Sequence, residues 1–112
     1  MIKKFKPAFI GLVQGIKDPS ILTQYLLGLL CIVVCFILKL NYIEWCLILL
    51  CIALVISCEY LNTAIERLAD FVETNKNEKI KYIKDISAAA VLVQAIVSVS
   101  IFMIILHHIW KG

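Results

Sequence analysis

The sequence lacks the short motifs by which many nucleotide-binding and zinc-binding proteins are recognised. It contains no Gly-x-x-x-x-Gly-Lys-Ser/Thr loop, which excludes P-loop phosphoryl transfer. Its five cysteines form no Cys-x-x-Cys or Cys/His spacing, and their odd number within apolar runs favours buried free thiols over metal sites or disulfides. Residues 1–17 carry four lysines and no apolar core with a small-residue cleavage site, so we expect no cleavable signal peptide.

Charged side chains are also scarce. Only 17% of the 112 residues are charged, whereas 62% are hydrophobic and the mean hydropathy is +0.97. A soluble domain is about 45–50% apolar, and a chain this short has too little interior to bury so much apolar surface. The composition therefore predicts a membrane protein with one domain, residues 1–112, and argues against nucleic acid as a partner.

The apolar residues fall into three long segments and one short one. Residues 20–38, 45–72 and 86–110 each contain enough uncharged residues to cross a bilayer, which takes about 20. Residues 1–17 alternate lysines with apolar side chains and predict a basic amphipathic helix on the membrane surface, with Pro7 in its first turn. The predicted fold class is an all-α integral membrane protein with one surface helix and three transmembrane helices.

Basic residues indicate the orientation of these segments. Lysines crowd the N-terminus and the connection at residues 73–85, where we expect a loop over 74–78 and a basic turn over 79–85. The positive-inside rule then places the N-terminus and this connection in the cytoplasm and the C-terminus outside. Residues 39–44 are predicted to form a tight turn, and His107 and His108 to mark the far interface rather than a metal site.

Four polar residues at the end of the second apolar segment are the main candidates for function. Glu59, Asn62, Glu66 and Asp70 lie on one face of a helix, at offsets of three, seven and eleven residues. Individually they have structural interpretations, such as a hydrogen bond between helices or a solvated helix end. Together they favour function, because carboxylates at or near hydrocarbon depth are expensive.

Their depths suggest different chemical roles. The deeper carboxylate, Glu59, is desolvated and suited to act as a general base. The shallower Glu66 stays ionised and can hold a divalent cation, since Mg²⁺ in proteins takes one or two carboxylates plus substrate phosphates. Lys84, which enters the third segment, can neutralise phosphate charge.

Two blocks of sequence carry a resemblance to a known family. Glu59-Tyr60-Leu61-Asn62-Thr63-Ala64-Ile65-Glu66 and Lys84-Asp85-Ile86-Ser87-Ala88-Ala89-Ala90-Val91 resemble the prokaryotic diacylglycerol kinase / undecaprenol kinase family. The spacing from Glu66 to Lys84, the chain length and the order of three spans match as well, so the resemblance covers nearly the whole chain.

The resemblance implies a small homotrimeric lipid kinase in the bacterial inner membrane. It would use Mg²⁺ and ATP to phosphorylate a membrane lipid alcohol, either diacylglycerol to phosphatidic acid or undecaprenol to undecaprenyl phosphate. The residues carried over by position are Glu59 and Asn62 for catalysis, Glu66 and Asp18 for the metal, Glu66, Asn75, Lys76, Asn77, Lys84 and Asp85 for the nucleotide, and Glu59, Ala88 and Asp70 for the lipid substrate.

The N-terminal part departs from the family pattern. Counted without a gap, the family's second metal-binding Glu falls on Pro19, whereas a one-residue deletion in the turn places Asp18 there. The competing interpretation is that Asp18 only caps a helix. Leu22 and Gln24 stand where the family has Arg and His, and Pro7 stands where it has a nucleotide-stacking Tyr.

Two other functions remain open from the sequence. A small proton-coupled multidrug transporter has a similar length and an essential membrane Glu, but it has four spans with that Glu in the first. A catalytically impaired family member, acting as a membrane binding subunit, would explain the altered N-terminal motif. The number of membrane spans distinguishes the transporter from the lipid kinase. Binding of MgATP distinguishes an active kinase from the catalytically impaired family member.

Overall fold

A computed structural model describes residues 2–111 of the chain, apart from the side chains of Ile2 and Lys4. It contains four helices in the order α1 (Ile2–Ile16), α2 (Pro19–Leu38), α3 (Tyr42–Val72) and α4 (Glu78–Lys111), with no strand among the described residues. Three of them, α2, α3 and α4, are long and apolar enough to cross a membrane. The predicted all-α fold with a surface helix and three membrane helices is confirmed, and Met1 lies outside the described residues.

The short helix α1 is amphipathic and ends at a corner of the chain. It begins at Ile2, so Pro7 is its sixth residue and not part of its first turn as predicted. At its other end, the backbone N–H of Lys17 donates to Gln14 O at 3.2 Å. Asp18 then caps α2: its carboxylate accepts from the N–H of Ser20 at 3.0 Å, and Pro19 occupies the first helical position, where its missing N–H costs nothing.

Helix α3 begins three residues before the predicted span because a capping box fixes its start. Asn41 Oδ1 accepts from the N–H of Glu44 at 2.9 Å, and Glu44 Oε1 accepts from the N–H of Asn41 at 3.0 Å, so two donors at the helix end are satisfied. The turn predicted at 39–44 is therefore confined to residues 39–41, and Lys39 in it adopts the left-handed conformation that ends α2.

Helix α4 also begins earlier than predicted. Asn77 Oδ1 accepts from the N–H of Lys79 at 2.8 Å, and the Lys81 ammonium pairs with Asp85 at 2.7 Å one turn later. The prediction of a basic turn over 79–85 is wrong, because these interactions extend the helix back to Glu78. The connection between α3 and α4 is only residues 73–77.

The helices pack as an antiparallel bundle in which α3 lies mainly against α4 and secondarily against α2. A buried cluster of Cys35, Leu40, Ile48 and Ile105 closes the end of the bundle opposite the polar residues of α3. All five cysteines are free, as expected, although Cys46 is exposed and not buried. Most other apolar side chains of α2 to α4 face outward, where acyl chains provide their solvent.

Candidate functional site

From the length of α3, we expect its polar face to lie at the boundary of the membrane. Counted from Tyr42 at 1.5 Å per residue, Glu59 lies about 26 Å along the helix and Glu66 about 36 Å along it, whereas the hydrocarbon core is about 30 Å thick. Glu59 and Asn62 are buried, with 6% and 9% of their surface exposed, Glu66 is half-buried and Asp70 is exposed. The burial thus decreases along the predicted face as it approaches water.

Asn62 is held by hydrogen bonds on both sides of its amide. Its Nδ2 donates to Glu66 Oε1 at 3.0 Å, and its Oδ1 accepts from the Ser87 hydroxyl of α4 at 2.6 Å. The two bonds fix which way the amide points and connect α3 to α4 through buried polar atoms. Asn62, for which the resemblance implied a part in catalysis, is therefore held in one orientation by this Ser87–Asn62–Glu66 chain.

Ser87 was not among the candidate functional residues identified from the sequence, although it lies within one of the two blocks that carry the resemblance. It is buried, with 7% exposed. A signal was present: Ser87 lies three residues after Lys84, and therefore on the same side of α4. Ala88, the predicted lipid-contacting residue, is exposed on the outside of α4 next to it.

Of the four polar side chains on this face of α3, Glu59 has the fewest hydrogen-bond partners among the described residues. Among the described residues, no side chain donates a hydrogen bond to it and no cation pairs with it. A carboxylate at this depth is expensive, and its oxygens are available to accept a hydrogen bond from a bound molecule.

A polar cavity of about 570 Å³ opens beside this face, at the connection between α3 and α4. It contains Asn75, Lys76, Asn77, Lys84 and Asp85, all of which the resemblance implied as nucleotide-binding residues, whereas Glu66 is not among its lining residues. The remaining lining residues are Asp70, Glu73, Thr74, Glu78, Ile80 and Lys81. Four carboxylates, three lysines and two amides line this cleft, so it is suited to a polar ligand.

Lys84 is positioned within this cavity by an ion pair across the two helices. Its ammonium donates to Asp70 Oδ1 of α3, while the neighbouring Asp85 is engaged by Lys81. Both pairs are largely exposed, so their contribution to stability is small. Their consequence is geometric: the charge of Lys84 is directed toward α3, on the side where the polar face of α3 ends.

Asp18 has both carboxylate oxygens engaged by donors of the protein. Oδ1 accepts from the Ser20 backbone N–H and, at 2.6 Å, from the Ser20 hydroxyl, while Oδ2 accepts from Arg67 at 3.3 Å. The hydrogen bond from the Ser20 hydroxyl, with smaller contributions from backbone N–H groups and Arg67, lowers the pKa of Asp18 from its usual value. The capping interpretation of Asp18 thus describes its actual contacts.

A magnesium ion fits Glu66 better than Asp18. The described residues contain no group of three or more His, Cys, Asp or Glu side chains arranged to hold a metal. One carboxylate together with substrate phosphates is nevertheless a usual Mg²⁺ environment, and only one oxygen of Glu66 is engaged, by Asn62. A cation at Asp18 would first have to displace Arg67, so the metal-binding role of Asp18 stays a prediction.

Comparison with known proteins gives concordant matches. The family model described as prokaryotic diacylglycerol kinase matches residues 6–106. An undecaprenol kinase of Bacillus subtilis is 40% identical over 70 residues, which cover 62% of this chain and 57% of that protein. A diacylglycerol kinase of Helicobacter pylori is 35% identical over 78 residues, which cover 70% of this chain and 61% of that protein. The matched part therefore spans less than two thirds of either relative.

Proposed function

Because the chain belongs to the prokaryotic diacylglycerol kinase family, we propose that it is a membrane lipid kinase that transfers the γ-phosphate of ATP to a lipid hydroxyl. The observation that carries the proposal is the position of the Glu59 carboxylate, on the same face of α3 as Asn62 and Glu66, where the described part of the chain gives it no hydrogen-bond donor. The polar cavity at the next turn of that helix supplies a place for the nucleotide.

The reaction needs a proton acceptor and charge neutralisation more than covalent chemistry. Glu59 takes the proton of the lipid hydroxyl as its oxygen forms a bond to the γ-phosphorus, and the bond from that phosphorus to the bridging oxygen of ATP breaks to release ADP. Asn62, fixed by Ser87, orients the groups around Glu66. Lys84 offsets phosphate charge from the cavity side. Mg²⁺, held at Glu66, supplies further neutralisation of the phosphates when it is bound.

The acceptor is proposed as a class, a lipid alcohol whose head group reaches the inner interface. The relatives carry the names of an undecaprenol kinase and a diacylglycerol kinase, and both alcohols present a hydroxyl at the membrane surface with apolar chains below it. The exposed Ala88 of α4, adjacent to Ser87, provides a smooth surface on which such chains can pack.

We place the chain in the bacterial inner membrane with its N-terminus in the cytoplasm, where ATP is available. Three candidate spans among the described residues, with Glu59 in the second, do not match a four-span transporter with its Glu in the first. Labelling with reagents that cannot cross the membrane tests this orientation, because the two termini should be labelled from opposite sides. Labelling of both termini from the same side would contradict it.

Assembly as a homotrimer is part of the proposal. In the apolar window of α4, only 6% of the residues are buried inside one chain, and the corresponding value for α2 is 17%. Such faces are available for contact with further copies as well as with lipid. Native mass spectrometry from detergent should give a trimer, and a monomer that retains full activity would contradict this part of the proposal.

The decisive experiment measures Mg²⁺-dependent transfer of labelled γ-phosphate from ATP in mixed micelles, with diacylglycerol and undecaprenol tested side by side. Glu59→Gln should abolish transfer while leaving the protein folded. Glu44→Gln is the matched control, since Gln can replace Glu in a capping box, and it should leave transfer unchanged.

Each result has a definite meaning. Label in one lipid that disappears in Glu59→Gln supports the kinase and names its substrate. Near-normal transfer by Glu59→Gln removes Glu59 as the base. No label in either lipid from a folded wild-type oligomer contradicts the kinase and favours a non-catalytic family member.

A further inference from the structure

Arg67 is the only arginine of the sequence and the only cationic side chain of α3. It directly follows Glu66, the carboxylate proposed to hold Mg²⁺. Its Nη2 donates to Asp18 Oδ2 at 3.3 Å, so the side chain reaches from α3 to the corner between α1 and α2. The Arg67 side chain is 74% exposed, whereas that of Asp18 is 15% exposed. The guanidinium is therefore held at one point and open to solvent over the rest.

The carboxylate that holds Arg67 is itself fixed in place. Asp18 Oδ1 accepts from the backbone N–H and from the hydroxyl of Ser20, as the cap of α2. A guanidinium carries five N–H donors in a planar fork that suits phosphate. Among the described residues, Asp18 is the only acceptor bonded to Arg67. Donors remain for a second anion, while Asp18 holds the fork in one orientation.

The corner that carries Asp18 is also held against α3 through α1. Tyr60, about two helical turns before Arg67, donates its hydroxyl proton to the backbone oxygen of Leu12 at 2.9 Å. Its ring lies so close to Gly15 that a Cβ atom added there would clash with it. Contacts at two levels of α3 thus fix the distance between the corner and α3, and the Arg67 side chain spans that distance.

Arg67 lies beside the polar cavity as well as beside Glu66. Three residues later on α3, Asp70 lines that cavity and pairs with Lys84 of α4. Residues three apart are neighbours on a helix surface, and three residues cover about 5 Å along the axis. The stretch from Glu66 to Asp70 thus carries two cations, one tied to the α1–α2 corner and one supplied by α4.

The cavity itself offers little free positive charge. Its lining has four carboxylates against three lysines, and two of those lysines already pair with Asp85 and Asp70. Glu66 adds a further carboxylate one turn before Asp70. Mg²⁺ held at Glu66 offsets part of the negative charge when it is bound, and the phosphates of a nucleotide require more. On α3 the additional positive charge comes from Arg67 alone.

We propose that Arg67 binds the terminal phosphate of the nucleotide and that Asp18 is the positioning residue that directs its guanidinium. The proposal rests on the lipid kinase function proposed above, in which the phosphates extend from the cavity at residues 70–85 toward Glu59. Glu66 and Arg67 lie between these two points along α3, so the phosphate nearest Glu59 is the one within reach of Arg67. The α1–α2 corner then takes part in the nucleotide site through Asp18, without ligating a second metal ion.

The test measures binding of a non-hydrolysable ATP analogue and of ADP, each with Mg²⁺, to the protein in micelles by isothermal titration calorimetry. Arg67→Gln should weaken binding of the analogue about ten-fold, as expected for loss of a charged hydrogen bond, and leave binding of ADP nearly unchanged. Arg67→Lys should lie between Arg67→Gln and wild type, because it keeps the charge and loses the fork. Lys79→Gln is the matched control. It removes an exposed cation next to the cavity that is not among the lining residues, and it should bind both nucleotides as wild type does.

Asp18→Asn separates positioning from helix capping, since Asn caps a helix as well as Asp does. The variant loses the charge that holds Arg67 and should also weaken binding of the analogue. Added to Arg67→Gln, it should cause no further loss of affinity, because the residue that it positions is already gone. Circular dichroism should show that all variants are folded, since an ion pair with so exposed an arginine adds little to stability.

Unchanged binding of the analogue by Arg67→Gln, or an equal loss in Lys79→Gln, would overturn phosphate binding by Arg67. Equal weakening of the analogue and ADP would contradict the assignment to the terminal phosphate. Additive losses from Asp18→Asn and Arg67→Gln would overturn the positioning role and favour metal binding by Asp18. If the wild-type protein binds the analogue but transfers no phosphate to either lipid, the proposed function fails separately, and the affinities still decide whether Arg67 binds phosphate.

Discussion

Removing the hydroxyl of Ser87 tests whether the Ser87–Asn62–Glu66 chain is a working part of the site. In Ser87→Ala the volume at this position hardly changes, so no cavity forms. Asn62 Oδ1 loses its donor, while its Nδ2 keeps the bond to Glu66. Both Ser87 and Asn62 are buried, which leaves no water in direct reach of the abandoned acceptor.

The size of the effect follows from that burial. An unsatisfied buried acceptor costs about 1–3 kcal/mol in water-soluble proteins, and interhelical polar pairs in membranes contribute about 0.6 kcal/mol on average and at most about 1.7. We expect a loss of about 1 kcal/mol in the free energy of unfolding, a factor of about five in the equilibrium. Turnover should fall by a similar factor, because one of the two bonds that orient the Asn62 amide is gone.

Unfolding is measured by circular dichroism as the fraction of sodium dodecyl sulfate in mixed micelles is raised, alongside turnover of each variant. Ser100→Ala is the control, since Ser100 is an exposed serine on the same helix whose hydroxyl donates to the local Ile96 carbonyl. A double-mutant cycle with Asn62→Ala should give a coupling of about 1 kcal/mol in stability. A coupling of zero, or equal effects of Ser87→Ala and Ser100→Ala, would refute the role of this chain.

Three further predictions concern other parts of the molecule. Ile48→Ala, at a fully packed core position, should lower the free energy of unfolding by about 2 kcal/mol or more, and the lipid-facing Leu49→Ala should cost clearly less in the same titration; equal costs would contradict the packing argument. Lys84→Met should raise the KM for ATP about ten-fold, as expected for loss of a charged hydrogen bond to phosphate, whereas Lys111→Met at the far end of α4 should not change it. Because the pKa of Asp18 is lowered in the folded state, its stabilising contribution is complete above the unfolded value of about 3.9 and is lost as the pH falls toward the lower folded value. Thermal unfolding of Asp18→Asn at pH 7 and pH 3 should show a smaller acid-induced loss than wild type, and an equal loss would contradict the assignment.

The capping residues of α3 show how much of the local structure was available from the sequence. Asn41 and Glu44 stand three residues apart just before an apolar run, which is a recognised signature of a helix start, and attention to it would have placed the start at Tyr42. The early start of α4 was harder to predict, because Asn77 and the Lys81–Asp85 pair lie within a stretch rich in loop-forming residues.

The sequence by itself determined the fold class, the three spans and the polar face of α3. These depend on composition and on periodicity along one helix, where Glu59, Asn62 and Glu66 share a side whatever the helix packs against. The family resemblance in the sequence also named Asn75, Asn77 and Lys84, which the structure brings together in the lining of the polar cavity.

Only the tertiary structure decided which residues hold that face in place. Ser87 meets Asn62 across 25 positions, Tyr60 reaches Leu12 across 48, and Arg67 reaches Asp18 across 49. Such contacts depend on how the helices rotate and how closely their backbones approach, which Gly15 permits beneath Tyr60. No local pattern in the sequence specifies that rotation, because it results from packing among all four helices together.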